Sequence, residues 1–298
     1  MERIKLTDDL SFSRIIQGFW RLSNWGQTLS ETLKFMNNCI ELGITTFDTA
    51  DIYMSETYQR EAMKLDKTIR NKIEIVTKCG IKPHIEALFK DVKTPHYNST
   101  KDHIINSVDN SLIRLGVDNI DVVLIHRPDY LMDPSEVAEA FNEIKKAGKV
   151  REFGVSNFTP SQFNLLASYY DGKLVTNQIE ISPLTVNAFE DGSIDNAMIN
   201  HSSLMAWSPL SGGKLFKDDC EQAMRVRASL NELKEKYSAS SIDQIAYAWI
   251  LKHPAKIMPI VGSSKISRVK QATSALNINL SHEDWYYILE SSLGRSVK

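Results

Sequence analysis

Four side chains in this sequence, Asp48, Tyr53, Lys78 and His126, are of types that together move a proton at a carbonyl or an alcohol. Asp48, Lys78 and His126 each close a short apolar, β-branched run, Ile44 to Asp48, Ile73 to Lys78 and Ile120 to His126. The C-terminal ends of parallel strands are where α/β folds place their chemistry. Tyr53 lies five residues beyond Asp48, on the loop that follows. A phenol with a pKa of about 10 is a reluctant donor at neutral pH, and a neighbouring ammonium favours the tyrosinate and lowers that value. Lys78 is the candidate cation, and a carboxylate such as Asp48 keeps it charged against desolvation. His126 is then free to donate a hydrogen bond to a substrate oxygen while Tyr53 supplies the proton. A fourth segment, Gly154-Val155-Ser156-Asn157-Phe158, stands at another strand end.

These residues lie far apart in sequence, so a regular scaffold must gather them. Apolar periodicity alternates between short strands and helices along the chain. Strands are read at Ile15 to Gly18, Ile44 to Asp48, Ile73 to Lys78, Ile120 to His126, Val150 to Ser156, Val175 to Glu180, Leu204 to Trp207 and Ile257 to Val261. Helices are read from a cap at Ser30 through Leu42, with Gly43 beyond its end, and over Tyr58 to Leu65, Thr100 to Arg114 and Asp133 to Ala147. Further ones are Thr159 to Tyr170, Ile194 to Asn200, Cys220 to Tyr237 and Ser241 to Lys252. Eight strand–helix units predict an α/β (β/α)8 TIM barrel, read as a single domain over 1–298. The additions are an N-terminal segment, Glu2 to Ser13, a long Gly80 to Ser99 loop over the mouth, and a C-terminal helix, Ser281 to Ser292.

Rival architectures lack their signatures. No GxG follows the first strand, as a Rossmann domain requires, and Ser208 and Leu215 break the P-loop pattern around Ser211-Gly212-Gly213-Lys214. The seven histidines include no HExxH, and no metal is expected. With 298 residues, 42% of them apolar, the chain can bury a large core. A net charge of −2 with dispersed cations argues against nucleic acid or an anionic membrane as partner. Cys39, Cys79 and Cys220 form no CxxC pair, which favours a reducing compartment. No leader or membrane span is read, so a cytoplasmic protein is expected.

In family order, the segments Phe47-Asp48-Thr49-Ala50 with Tyr53, Thr77-Lys78, His126, Gly148-Lys149-Val150-Arg151 with Gly154 to Phe158, Asn177-Gln178, Trp207-Ser208-Pro209-Leu210 and Ile260-Val261-Gly262-Ser263 with Arg268 resemble the aldo-keto reductase superfamily. His126-Arg127-Pro128-Asp129 resembles its bacterial YdhF-like oxidoreductase subgroup. The resemblance implies NADPH-dependent reduction of a small-molecule aldehyde or ketone, with Tyr53 as general acid, Lys78 and Asp48 tuning it, and His126 orienting the substrate. It also implies that Ser156, Asn157 and Gln178 hold the nicotinamide carboxamide and that Trp207 stacks on its ring. Ser208, Leu210, Gly212 and Gly213 would line the pyrophosphate loop. Gly262, Ser263, Lys265 and Arg268 follow the last strand, where backbone N–H groups and cations suit a phosphate, and the Arg268 fork favours NADPH over NADH.

Three departures stand out. Met54 follows the tyrosine where the family commonly has glycine, Gln271 and Ala272 replace a Glu and an Asn near the adenine, and the Gly80 to Ser99 segment is long. Singly, each residue has an ordinary role: Asp48 in a turn, Lys78 as a solvated cation, Trp207 as core, Lys265 and Arg268 on a solvated helix face. Ser156 to Pro160 also reads as a helix start, with Thr159 capping and Pro160 following. Joint placement at successive strand ends is what favours chemistry. The rival readings are an NADPH-binding redox-sensing or scaffolding subunit and a Schiff-base aldolase using Lys78.

Overall fold

Apolar, β-branched runs with no polar alternation belong in parallel strands covered on both faces, and all eight runs form such strands. The computed structural model describes residues 1–85 and 92–297. Its barrel strands are Ile16–Gly18, Thr46–Asp48, Glu74–Cys79, Ile120–Ile125, Val150–Ser156, Leu174–Glu180, Ser203–Trp207 and Met258–Val261. They close into a parallel barrel in chain order, the last pairing with the first. Register brings the reactive residues to one end: Gly18 pairs with Asp48, Asp48 with Val76, Lys78 with Leu124, and Gln178 with both Ser156 and Met205.

Side chains alternate across each strand. One set, including Val76, Val122, Leu124, Met205 and Ile260, packs a cluster with Ile4, Leu6, Leu10 and Phe12 of the N-terminal segment. That segment, read only as an addition, is an antiparallel hairpin of Arg3–Lys5 and Ser11–Ser13. It sits at the strands' N-terminal ends, where Ser13 N donates to Thr46 Oγ1, Lys173 to Leu6 O and Arg151 to Asp9 O. The hairpin thus plugs the end opposite the candidate site. Gly154 is required inside: a Cβ there would come within 2.5 Å of Thr176 O and 2.9 Å of Leu124 Cδ2.

The other set packs against the helices. Helix Leu29–Glu41 buries Thr32, Phe35, Met36 and Cys39 at helical spacing. Its cap is Thr28 rather than Ser30, because Thr28 and Glu31 form a reciprocal capping box; Gly43 ends it at φ +83°. Thr159 and Pro160 open their helix as read. The C-terminal helix His282–Leu293 is fastened by Trp285, stacked on Trp249 at 5.2 Å, each indole N–H donating to the other residue's carbonyl. The Gly80 to Ser99 segment opens and closes with the paired strands Ile81–Lys82 and His96–Tyr97. Its residues 86–91 lie outside the described residues, so its expected position over the mouth is not described.

Candidate active site

The strand ends converge as their register requires. Lys78 Nζ donates to both carboxylate oxygens of Asp48, at 2.7 and 2.8 Å, and to Thr49 O at 2.7 Å. These contacts and the neighbouring Tyr53 hold the ammonium, and the side chain is 1% exposed. Gln178 reaches across the barrel to donate to Asp48 Oδ2 at 2.7 Å. Above this pair the Tyr53 hydroxyl lies 3.1 Å from His126 Nε2, and Lys78 Nζ lies 5.1 Å from the Tyr53 ring centre. The four residues read from sequence as a proton-transfer set therefore meet.

Met54 adopts φ +61°, ψ +1°, the left-handed conformation that glycine enters freely and a residue with Cβ resists. Methionine thus makes the turn a glycine would make, and helix Ser55–Met63 starts directly after it, three residues before the predicted Tyr58.

Burial governs protonation. The Tyr53 phenol is pushed above its ordinary value chiefly by desolvation; Lys78 pulls it down, while Asp48 and Asp51 push it up. The sequence-based expectation named the lysine's effect correctly, but desolvation outweighs it, so the resting phenol holds its proton. For Lys78, desolvation is the largest single influence and opposes the charge, yet Asp48 and Tyr53 together raise its pKa. His126 is held well below the usual imidazole range by burial, and then by Lys78 and Arg127, so its ring is neutral. Its Nδ1 is buried without a partner among the described residues.

A cavity of about 750 Å³ opens over this group, within the range of small-molecule sites. Asp48, Tyr53 and His126 line it, while Lys78 lies beneath. Ser156, Asn157, Gln178 and Trp207 line it too and are already interlinked. Ser156 Oγ donates to Gln178 O at 2.8 Å, Asn157 Nδ2 to Ser156 Oγ at 2.8 Å, and Trp207 Nε1 to Asn157 Oδ1 at 3.0 Å. Ser208, Leu210, Gly212, Gly213, Gly262, Ser263 and Arg268 complete the predicted lining. Lys265 does not reach it; it is exposed at the start of helix Ile266–Ser274. Gln271 lines the cavity, whereas Ala272 is fully buried behind it. The loop at Ser208, Ser211, Gly212 and Gly213 turns through four positive φ angles, and among the described residues nothing lies within 4 Å of where a Cβ on either glycine would be. A phosphate can approach that backbone closely, with Lys217 and Arg268 in the same cavity. These residues fit a nicotinamide dinucleotide.

Residues missed from sequence are Trp20, Arg21, Arg127, Lys217, Asp243 and Tyr247, all in the lining. Trp20 and Arg21 follow the first strand and Arg127 follows His126, so the strand-end rule that found the others would have reached them. Among the described residues no group of three His, Cys, Asp or Glu could hold a metal, and no helix is long and apolar enough to cross a membrane.

Comparison with known proteins shows the family and the fold. The Aldo/keto reductase family profile matches residues 14–292. The uncharacterized oxidoreductase YcsN of Bacillus subtilis is 45% identical over 301 residues, covering 100% of both chains. The oxidoreductase YdhF of Escherichia coli is 43% identical, covering 96% of this chain and 95% of its own. A 6-dehydroglucose reductase of Agrobacterium fabrum is 38% identical over the full length of both. In fold, the chain superposes on the thermostable aldo-keto reductase Tm1743, solved with the inhibitor epalrestat, at a TM-score of 0.82 and 23% identity, covering 98% of this chain and 100% of that one. The chain belongs to the aldo/keto reductase family, as an oxidoreductase of the branch that includes YcsN and YdhF.

Proposed function

We propose that the protein reduces aldehydes or ketones to alcohols with NADPH, Tyr53 acting as the general acid. Carbonyl reduction is the general reaction of its family. NADPH, when bound, supplies the hydride. The substrate carbonyl oxygen would lie within hydrogen-bond reach of both the Tyr53 hydroxyl and His126 Nε2; as its π bond breaks, it takes the Tyr53 proton and the phenol becomes tyrosinate. Lys78 then faces a new negative charge and stabilises it. Ser156, Asn157, Gln178 and Trp207 hold the carboxamide and one ring face, and Arg268 holds the 2′-phosphate. The reading takes 1–298 as one barrel unit working in the cytoplasm.

The observation that carries it is the Tyr53–His126 contact of 3.1 Å, set over the Lys78–Asp48 pair and open to the cavity. A lysine held on Asp48 and Thr49 at 1% exposure is poorly placed as a Schiff-base nucleophile. NADPH absorbance followed with a panel of aromatic, aliphatic and sugar aldehydes tests the proposal, the last because of the 6-dehydroglucose reductase relatives. Tyr53→Phe should lower kcat by about 10²- to 10⁴-fold. No turnover of any carbonyl, together with no NADPH binding by fluorescence, would sink the reading.

A further inference from the structure

The Tyr53 loop is spanned between two fixed points. On one side, Thr49 N donates to Val76 O at 2.8 Å and Asp51 N to Lys78 O at 3.1 Å, which ties the chain to the third strand as far as Asp51, and Tyr53 N donates to Ala50 O at 3.1 Å within the loop. On the other, Glu56 is 1% exposed in the first turn of helix Ser55–Met63. Its Oε1 accepts from Thr77 Oγ1 at 2.6 Å, and its Oε2 accepts from Arg114 Nε at 2.6 Å. Thr77 precedes Lys78 on that same strand, and Arg114 stands in the last turn of helix Lys101–Leu115. A shorter tie joins Ser55 Oγ to Thr49 Oγ1 at 2.6 Å. Between the two fixed points lies Met54, held at φ +61° with no side-chain hydrogen bond capping the helix it begins.

Left-handed backbone is unfavourable for a residue with a Cβ, so the conformation persists only where its surroundings impose it. A carboxylate clamped at both oxygens, out of water and between two other elements, is such a constraint. We propose that Glu56, clamped by Thr77 and Arg114, is a positioning residue that imposes the Met54 turn and thereby keeps the Tyr53 hydroxyl at His126. The inference rests on the reading of Tyr53 as the general acid. It distinguishes this chain from a relative with glycine at position 54, where the turn needs no external hold.

The test is a cycle of Glu56→Gln, Met54→Gly and the double variant, each assayed for kcat and KM with NADPH and a turned-over aldehyde. Arg114 is 27% exposed in its side chain and can turn to water when the pair is lost, so Glu56→Gln is expected to fold, with circular dichroism and NADPH binding as checks. Should it not fold, Thr77→Val removes one clamp bond and keeps the shape of the residue. Glu56→Gln should lower kcat about tenfold, the scale of the left-handed penalty, with the aldehyde KM within about twofold. In the Met54→Gly background the same change should cost less than about threefold, since glycine holds the turn unaided. An equal loss in both backgrounds, or a loss in KM alone, would overturn the proposal. A crystal structure of Glu56→Gln reads the position directly: the Tyr53–His126 contact should open, and an unchanged contact also overturns it. Full activity of Tyr53→Phe would instead remove the acid role and leave that crystallographic outcome decisive.

Discussion

Lys78 and Asp48 offer the sharpest energetic test, because each is the other's reason for being buried. Their side chains are 1% and 7% exposed. In Lys78→Met, Asp48 keeps, among the described residues, only the Gln178 amide as a side-chain donor to a buried charge. In Asp48→Asn, the ammonium keeps Thr49 O and loses its counter-ion. Breaking a buried pair from one side costs about 3–5 kcal/mol, whereas replacing both partners leaves no orphaned charge. The double variant should therefore be more stable than the sum of the singles predicts, by roughly 2 kcal/mol. Urea unfolding at neutral pH, followed by tryptophan fluorescence, gives the three costs. The sign of the pH dependence is also fixed. Lys78's pKa is raised from 10.5 on folding, so its contribution is fully present below that value and fades as pH rises through the higher folded one. Lys78→Met should lose that alkaline fall. Single costs that add to within about 0.5 kcal/mol in the double variant would refute the argument.

Three further outcomes follow from particular contacts. Asp51 is buried with Oδ1 unpartnered among the described residues, and its pKa is pushed up from 3.8 to about 8, first by burial and then by Glu56. Folding must then take up a proton between those values, so Asp51→Asn should gain on the parent by up to about 1.4 kcal/mol per pH unit across that window and by a constant amount above it. Unfolding curves in acid, neutral and alkaline buffer measure this, and a pH-independent gain contradicts it. Gly154→Ala forces a Cβ to 2.5 Å from a backbone carbonyl that cannot swing away. It should cost about 3 kcal/mol, seen as a lower urea midpoint, and a change under about 0.5 kcal/mol would show that the barrel interior yields. Arg268→Ala should raise KM for NADPH by about 10- to 100-fold through the loss of a charge-assisted hydrogen bond and leave NADH unaffected. Equal losses for both cofactors would remove the 2′-phosphate role.

The strands and the reactive set were legible because buried parallel strands are written as unbroken apolar runs, and because the strand-end rule converts sequence position into location. Asp48, Lys78 and His126 needed no more than that. Helix starts were less visible: Ser30 resembles a cap as well as Thr28 does, and only the Glu31 side chain folding back decides between them. The N-terminal hairpin was hidden because six residues of strand carry little pattern, and its role depends on Phe12 and Leu10 entering a barrel whose closure is a long-range fact. The sign of Tyr53's shift was missed for the same reason. Local spacing shows that a lysine is near, while burial depends on everything packed around the ring.

That sign changes what Lys78 does in the proposed reaction. A cation strong enough to ionise Tyr53 at rest would leave no proton to give, and the site would favour taking one from an alcohol. Here desolvation keeps the phenol protonated and His126 neutral, so the proton that Tyr53 gives is in place before substrate arrives. The same desolvation would penalise the tyrosinate formed on transfer. Lys78, fixed 5.1 Å from the ring centre by Asp48 and Thr49, offsets that penalty only once the negative charge exists. Its stabilisation is thus concentrated after proton transfer, where it lowers the barrier rather than draining the resting acid. Under this reading, Lys78→Met should depress kcat for reduction far more than it alters aldehyde KM. A loss confined to KM would show that the lysine acts on binding instead.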